Sequence, residues 1–330
     1  MLARAVTTAL KLGGACRTPA GRRVLSTTAP FGCWFVATDL NIPHPDKAAG
    51  GGVGEDAVSS SRFLLGVADG VGGWAESGID AGMYSRELIS KSVEAAEGKV
   101  PPFGLEEVAT AGYKDTHATG SSTLCLVAPG AGMTADTFNL GDSGWMQLRL
   151  GAGNIFGKEW AKHHKAMWGV VARSKEQTHY FNCPFQLGTG SVDSPAHADK
   201  SSVSVLPGDV MLLATDGLLD NLFDTDVTHV ASRIDFEPCV AAVVLAKAGR
   251  LTPSGPGKTE PAATAAALTA CQATVRSFAA ALAVKAHEVG ADARARSPFQ
   301  VAAHKHGYEY SGGKLDDVGL AVGLVLPVRR

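Results

Sequence analysis

Four aspartates carry the chemistry-bearing pattern of this chain. Each stands where an apolar, strand-length run meets a turn. Leu64-Leu65-Gly66-Val67-Ala68 leads into Asp69-Gly70, Phe138-Asn139-Leu140-Gly141 into Asp142-Ser143-Gly144, and Met211-Leu212-Leu213-Ala214-Thr215 into Asp216-Gly217. In the fourth, Leu315-Asp316-Asp317 precedes the run from Val318. An earlier acid pair, Glu55-Asp56, follows a glycine-rich segment. A single aspartate beside a strand is ordinarily a turn former. Four at the ends of core-like strands are harder to dismiss, because carboxylates gathered at one place repel each other and need a cation. No His or Cys stands in these motifs. Hard oxygen donors alone favour Mg²⁺ or Mn²⁺ and argue against zinc. Carboxylates far apart in sequence can hold two such ions, which activate a bridging water and clamp a phosphoryl group for in-line attack, with no covalent nucleophile. Glycine after the aspartate leaves its backbone carbonyl open to the site and lets the chain approach closely.

The elements that must position these acids are short. Strand-length apolar runs cover 63–68, 123–128, 136–140, 146–150, 203–205, 210–214 and 318–326. Helical periodicity covers 81–97, 226–247 and 265–289, with Asp224 or Thr225 able to cap the second. Strands come first, then helices, then a last strand. This predicts an α+β fold with mostly antiparallel sheets rather than a βαβ repeat. The segment 249–263 is poor in large apolar residues and reads as a solvent-exposed insertion. With 330 residues and 45% hydrophobic content, one large core is expected. A net charge of -2 argues against a chain-wide nucleic-acid footprint. No apolar run approaches the roughly 18–20 residues needed to cross a bilayer, so no membrane span is expected. The six cysteines form no CxxC, which excludes a zinc ribbon and predicts free thiols. The expected working unit is a monomer.

Residues 1–38 contain no Asp or Glu, and Arg4, Lys11, Arg17, Arg22 and Arg23 stand among Ala, Leu, Ser and Thr. Such a leader is what organelle import uses. Cleavage after Leu25 would remove five positive charges and take the net charge from -2 to -7. The predicted organisation is a transit peptide over 1–25, disorder to about 38, and a single catalytic domain over 39–330. The mitochondrial matrix is the expected destination, with the chloroplast as the alternative.

Four segments, in this order, resemble the metal-dependent protein phosphatases of the protein phosphatase 2C class: Gly66-Val67-Ala68-Asp69-Gly70-Val71-Gly72-Gly73-Trp74, Gly141-Asp142-Ser143-Gly144, Ala214-Thr215-Asp216-Gly217-Leu218-Leu219-Asp220-Asn221 and Gly313-Lys314-Leu315-Asp316-Asp317. Gly120-Ser121-Ser122-Thr123, His179–Leu187 and Ser297-Pro298-Phe299 are similar to segments of its mitochondrial branch, which is linked to coenzyme Q biosynthesis. The resemblance covers about residues 52–327. It implies a four-layer α-β-β-α sandwich of two antiparallel sheets flanked by helices, with a two-metal site at one end. It implies dephosphorylation of phosphoserine and phosphothreonine in protein substrates by a water bridging the two ions. By this resemblance Asp69, the Gly70 carbonyl, Asp216 and Asp316 hold Mg²⁺ or Mn²⁺. Glu55 and Asp56 orient water, and Asp142 matches an acid tied to an additional, weaker metal. Asp316 is preferred to Asp317 because it aligns with the first acid of the family's pair.

Two positions depart from the larger family, which often has a phosphate-gripping Arg where Gly51 stands and a His where Val71 stands; the mitochondrial branch shares both absences. Lys47, Arg62 and His179 are basic residues near the motifs and read as surface or structural groups. Trp74 is expected in core packing. Adjacent His163 and His164 share no face, so the Trp160–Trp168 stretch reads as a surface loop or hairpin. Asp224-Thr225-Asp226-Val227-Thr228 matches a DxDxT nucleophile motif but sits at a helix start, where that chemistry does not work. A catalytically silent binding module is the alternative from another class. Because the clustered acids repel, neutralising Asp69 or Asp216 is expected to cost the metal-free fold little.

Overall fold

The computed structural model describes residues 31–151, 167–256 and 262–329. The expected transit peptide, Trp160 with His163 and His164, and part of the expected insertion lie outside the described residues.

Ten strands build the frame. They are β1 (Cys33–Ile42), β2 (Asp56–Ser60), β3 (Leu65–Asp69), β4 (Leu124–Pro129), β5 (Thr134–Leu140), β6 (Gly144–Leu150), β7 (Trp168–Arg173), β8 (Asp199–Ser204), β9 (Val210–Ala214) and β10 (Val318–Pro327). They form two five-stranded sheets in the orders β1-β10-β9-β6-β7 and β8-β5-β4-β3-β2. Every pairing within them is antiparallel. Helices α1 (Ala81–Ala96) and α2 (Leu105–Asp115) cover the second sheet. Helices α3 (Asp224–Arg233), α4 (Glu237–Lys247) and α5 (Ala262–Gly290) cover the first. A last helix, α6 (Pro298–Lys305), leads back toward β10. The result is the four-layer α-β-β-α sandwich.

Strand alternation divides the side chains between three cores. Phe35, Leu65, Val67, Cys125, Val127, Met211, Leu213 and Val325 fill the space between the sheets. Trp34, Val36, Leu212, Leu320, Val322 and Leu324 meet the helices on the other face of the first sheet. Strand β10 is buried on both faces, which is why it reads as one unbroken apolar run. Gly323 keeps the sheets close: a Cβ there would lie 2.8 Å from Leu65 Cδ1 and 3.0 Å from the Phe35 ring.

Four sequence expectations change. Residues 33–38 are not disordered: they open β1, which pairs with β10 from Cys33 to Ile42. The absence of acids that marks an import leader also marks a buried strand, so composition alone runs the two together. The stretch 226–247 is two helices, broken at Ile234–Phe236 ahead of Pro238. The start of the segment 249–263 is exposed only in part: Arg250, Thr252 and Ser254 face solvent, but Leu251 is 1% accessible and packs with α4 and α5, in a short hairpin of Leu251–Thr252 with Gly255–Pro256. Finally, α5 is, by length and composition alone, long and apolar enough to cross a membrane. It is built largely of Ala and Thr with polar residues interspersed, so it shows no unbroken apolar run. Here Cys271, Val275, Phe278 and Leu282 on one of its faces belong to the core against the first sheet.

Candidate functional site

The acids meet at one end of the sandwich because the strands that carry them pair in register. Asp56, the first residue of β2, lies opposite Asp69, the last of β3. Asp142 fills the turn between β5 and β6. Asp216 follows β9 and opens the short helix Asp216–Leu219, while Asp316 and Asp317 precede β10, the neighbour of β9.

The Asp69-Gly70 turn is fixed through its backbone. Thr123 N–H donates to Asp69 O at 2.9 Å, and Gly70 N–H to Glu55 O at 3.1 Å. The Asp69 N–H donates to Thr123 Oγ1 at 3.0 Å, and that hydroxyl also meets Ser143 Oγ at 2.7 Å. Gly70 has no room for a side chain: a Cβ would sit 2.8 Å from Glu55 O and 2.9 Å from both C and O of Ala81.

The acids divide into a satisfied group and an unsatisfied one. Asp317 is 2% accessible, and its carboxylate accepts from His44 N–H at 2.5 Å, Glu55 N–H at 2.6 Å and Lys47 Nζ at 2.7 Å. Lys47 Nζ also donates to Glu55 Oε2 at 2.7 Å. Burial works against the charge on Lys47, but these bonds to Asp317 and Glu55 raise its pKa nonetheless. Lys47 is thus a structural member of the acidic network, its side chain one third exposed. Asp56, also 2% accessible, accepts one side-chain bond, from Thr215 Oγ1 at 2.7 Å, and belongs with the unsatisfied acids.

On the other side the charges are under-compensated. Burial, and then the charges of Asp317, Asp216 and Asp316, push Asp56 well above the usual carboxylate range, with the Thr215 bond opposing. Burial, then Asp216, Asp56, Asp142 and Asp316, do the same to Asp69. Burial, then Asp216 and Asp220, raise Asp142, with Lys314 opposing. Asp316 is pushed up to about 6 by burial and then Asp216, and Asp220 to about 7 by burial against the pull of Lys314. These shifts show that Asp56, Asp69, Asp142, Asp216 and Asp316 share one electrostatic neighbourhood.

Among the described residues Lys314 is the cation in contact with them, while Lys47 also acts on Asp316. Lys314 Nζ bonds Asp216, lies 2.9 Å from Asp220 Oδ2, and stands 3.7 Å from Asp316 Oδ2. Sequence reasoning passed over both Lys314 and Asp220. Asp220 lies four residues after Asp216 across a helical turn, a spacing that puts side chains on one side, and Lys314 stands two residues before Asp316 in the loop ahead of β10.

The donor set fits a hard divalent ion in kind and in charge: carboxylate oxygens, a backbone carbonyl at a glycine, and more negative charge than one ammonium offsets. Among the described residues no three His, Cys, Asp or Glu side chains converge at metal-ligand spacing. Asp216 and Asp316 are instead held on Lys314.

The remaining candidates sort by geometry. Gly51 has φ of 78° with nothing within 4 Å of a Cβ, so the place of the family's arginine is an open left-handed turn. Val71 N–H donates to Ser121 O at 3.0 Å at the start of a 3₁₀ turn. Arg62 bonds Pro253 O, and His179 Nε2 lies 2.9 Å from Asp193 Oδ2, so both are structural. Trp74 is half-buried rather than in the core, its Nε1 donating to Ser121 Oγ at 2.7 Å. Asp226 accepts from Phe223 N–H at 3.0 Å as the cap of α3, and Asp224 pairs with Arg173, so the DxDxT match is a helix start. Cys33, Cys125, Cys183, Cys239 and Cys271 are free thiols.

No family model matches the chain. Curated relatives do. The probable protein phosphatase 2C 55 of Arabidopsis thaliana is 37% identical over 300 residues, covering 88% of this chain and 52% of that protein. The protein phosphatase PTC7 homolog of Xenopus laevis is 32% identical over 294 residues, covering 82% of this chain and 81% of that protein. The human protein phosphatase PTC7 homolog is 32% identical over 291 residues, with 82% and 79% covered. The chain spans only 52% and 61% of the lengths of two plant relatives. Among solved structures, the photosystem II phosphatase PBCP superposes with a TM-score of 0.64 at 23% identity, over 88% of this chain and 98% of that one, a likeness of fold.

Proposed function

This chain belongs to the protein phosphatase 2C family, and we propose that it hydrolyses phosphoserine and phosphothreonine esters of organellar proteins in a Mg²⁺- or Mn²⁺-dependent reaction. The observation that carries the reading is the gathering of Asp56, Asp69, Asp142, Asp216 and Asp316 at one sheet end, with burial and mutual repulsion raising the carboxyl pKa values of Asp56, Asp69, Asp142 and Asp316.

Asp69, Asp216 and Asp316, with the Gly70 carbonyl, would hold two ions, and Asp142 a weaker third. Such ions, when bound, supply Lewis acidity to a water and to the phosphoryl oxygens. The chain's own residues do the positioning. Asp69 and Gly70 are held by the Thr123 and Glu55 backbone, so the proposed donors are pre-set. Asp56 is braced by Thr215, and Glu55 by Lys47, which suits both to orienting water. Their placement on strand ends of a rigid sandwich limits reorganisation during the reaction. Import into the mitochondrial matrix, and with it a part in coenzyme Q biosynthesis or other mitochondrial metabolism, rests on the leader composition of 1–25 and on the motif resemblance.

The test is hydrolysis of an aryl phosphate and a phosphoserine/phosphothreonine peptide pool with Mn²⁺, Mg²⁺ or EDTA, beside Asp69→Asn. Turnover that needs a divalent ion and is lost in the variant supports the reading. Metal binding in calorimetry without turnover on either substrate would favour the silent binding module.

A further inference from the structure

Lys314 is the least expected residue of the acidic centre. Its side chain is 19% exposed, and its ammonium touches Asp216, Asp220 and Asp316, two of which are proposed metal ligands. An ammonium is a compact cation with three donors and no acceptor. Held at this place it does in part what a divalent ion does: it neutralises carboxylates that would otherwise repel. It competes with a metal for Asp216 and Asp316, because any oxygen that turns to the ion is lost to the ammonium and two cations side by side in a partly buried site repel.

We infer that Lys314 is a built-in counter-cation of the metal centre, holding Asp216, Asp220 and Asp316 together in the metal-free protein and giving up Asp216 and Asp316 to a divalent ion, so that metal affinity is set by competition with this ammonium. The inference rests on the proposed metal site and assigns to it a residue that competes with the ion instead of coordinating it. Two features fit this role. Asp220 remains as an anchor after the exchange, since it is not among the proposed ligands and sits 2.9 Å from Nζ. The face of the Phe299 ring lies 5.2 Å from Nζ, so the released ammonium has an aromatic surface to rest on. That ring is itself held in a cluster with Phe181 and Tyr310.

The experiment measures Mn²⁺ binding to the full chain by calorimetry and thermal unfolding in EDTA, for wild type, Lys314→Met, Lys314→Gln and Lys314→Arg. Removing the charge should tighten Mn²⁺ binding about tenfold or more, in the range of pairwise couplings between contacting charged groups. The same change should lower the metal-free melting temperature, so affinity and stability move in opposite directions. Lys314→Arg keeps the charge and should stay within about threefold of wild type in affinity. Gln carries the test if Met does not fold. Unchanged or weaker Mn²⁺ binding in both neutral variants overturns the inference and leaves Lys314 a structural residue. Failure of the wild type to bind Mn²⁺ at all would instead overturn the metal-site reading on which the inference stands.

Discussion

Asp316 and Asp317 are adjacent acids with opposite surroundings, and exchanging each for asparagine should separate their roles. Asp317 is 2% accessible and accepts three hydrogen bonds, from His44 N–H, Glu55 N–H and Lys47 Nζ, at 2.5, 2.6 and 2.7 Å. Asparagine there has the same shape, but whichever way its amide is placed, an NH₂ group faces a donor. Hydrogen bonds to charged groups are worth about 1.5–3 kcal/mol each, and breaking one side of a buried pair costs about 3–5 kcal/mol. Lys47 keeps Glu55 as a partner, so the lower half of the sum applies. Asp317→Asn should therefore lose about 3–4 kcal/mol of metal-free stability. At Asp316 one third of the side chain is exposed and Lys314 lies 3.7 Å away. Its oxygen accepts from Asp317 N–H at 2.9 Å, a bond an amide oxygen keeps. With its carboxyl raised to about 6 by burial and Asp216, the charge is itself a cost to the fold. Asp316→Asn should stay within about 1 kcal/mol of wild type and lose Mn²⁺ affinity. Urea unfolding in EDTA, followed by circular dichroism, and Mn²⁺ calorimetry read the two effects separately. A stable Asp317→Asn that no longer binds metal, beside an unstable Asp316→Asn, would refute the division.

Gly70→Ala should cost about 1–3 kcal/mol, since its Cβ meets backbone on two sides, and should abolish turnover by displacing the carbonyl; urea midpoints and aryl phosphate hydrolysis check both. The pH dependence of the metal-free fold follows from Asp220 at about 7 and Asp316 at about 6, against an unfolded value of about 3.9. Between those limits the folded state holds protons that the unfolded state has released, so stability falls as pH rises from about 4 to 7. Urea midpoints in EDTA at pH 5 and pH 7.5 measure this, and a higher midpoint at pH 7.5 would contradict it. Asp69 and Asp216 should not behave alike. Asp69 has no ammonium beside it among the described residues, so Asp69→Asn should keep or raise metal-free stability while ending turnover. Asp216→Asn takes a partner from Lys314 and should cost about 1–3 kcal/mol in the same urea assay.

Much of the fold was legible because its strands are bounded by turns that local chemistry marks. The run 318–326 is β10 to within one residue, and the helical periodicity over 81–97 is α1, which Asp80 caps by accepting from Gly82 N–H. What was not legible has physical reasons. Helix α2 shows its buried face only in Leu105, Val108, Ala109 and Gly112, two of them small, too slight a stripe to stand out. The first half of strand β1 hides behind a leader with which residues 33–38 share the absence of acids; Asp39 is the first acid of the chain. In the site, the aspartates announce themselves through strand-end turns, which are local. The partners that decide their charge do not. Asp317 reaches His44 and Lys47 across some 270 positions of chain, so its structural part could not be told from the ligand-like placing of Asp316 by spacing alone.

The same division explains why the acidic centre can be both well folded and ready for an ion. Asp317, Glu55 and Lys47 form a closed set in which both acids are paired with the same ammonium, and this set ties the segment before β2 to the start of β10. It contributes fold, and the Asp317 oxygens are already taken by three donors. Asp56, Asp69, Asp142, Asp216, Asp220 and Asp316 stand beside it with Lys314 as their cation, and the raised carboxyl pKa values are the record of that imbalance. A site whose charges were all paired would gain stability and have nothing to give a divalent ion. One left wholly unpaired would push its strand ends apart. Placing one displaceable ammonium among the proposed ligands meets both demands, with the fold borne by the closed set and the electrostatic cost held where a bound divalent ion would relieve it.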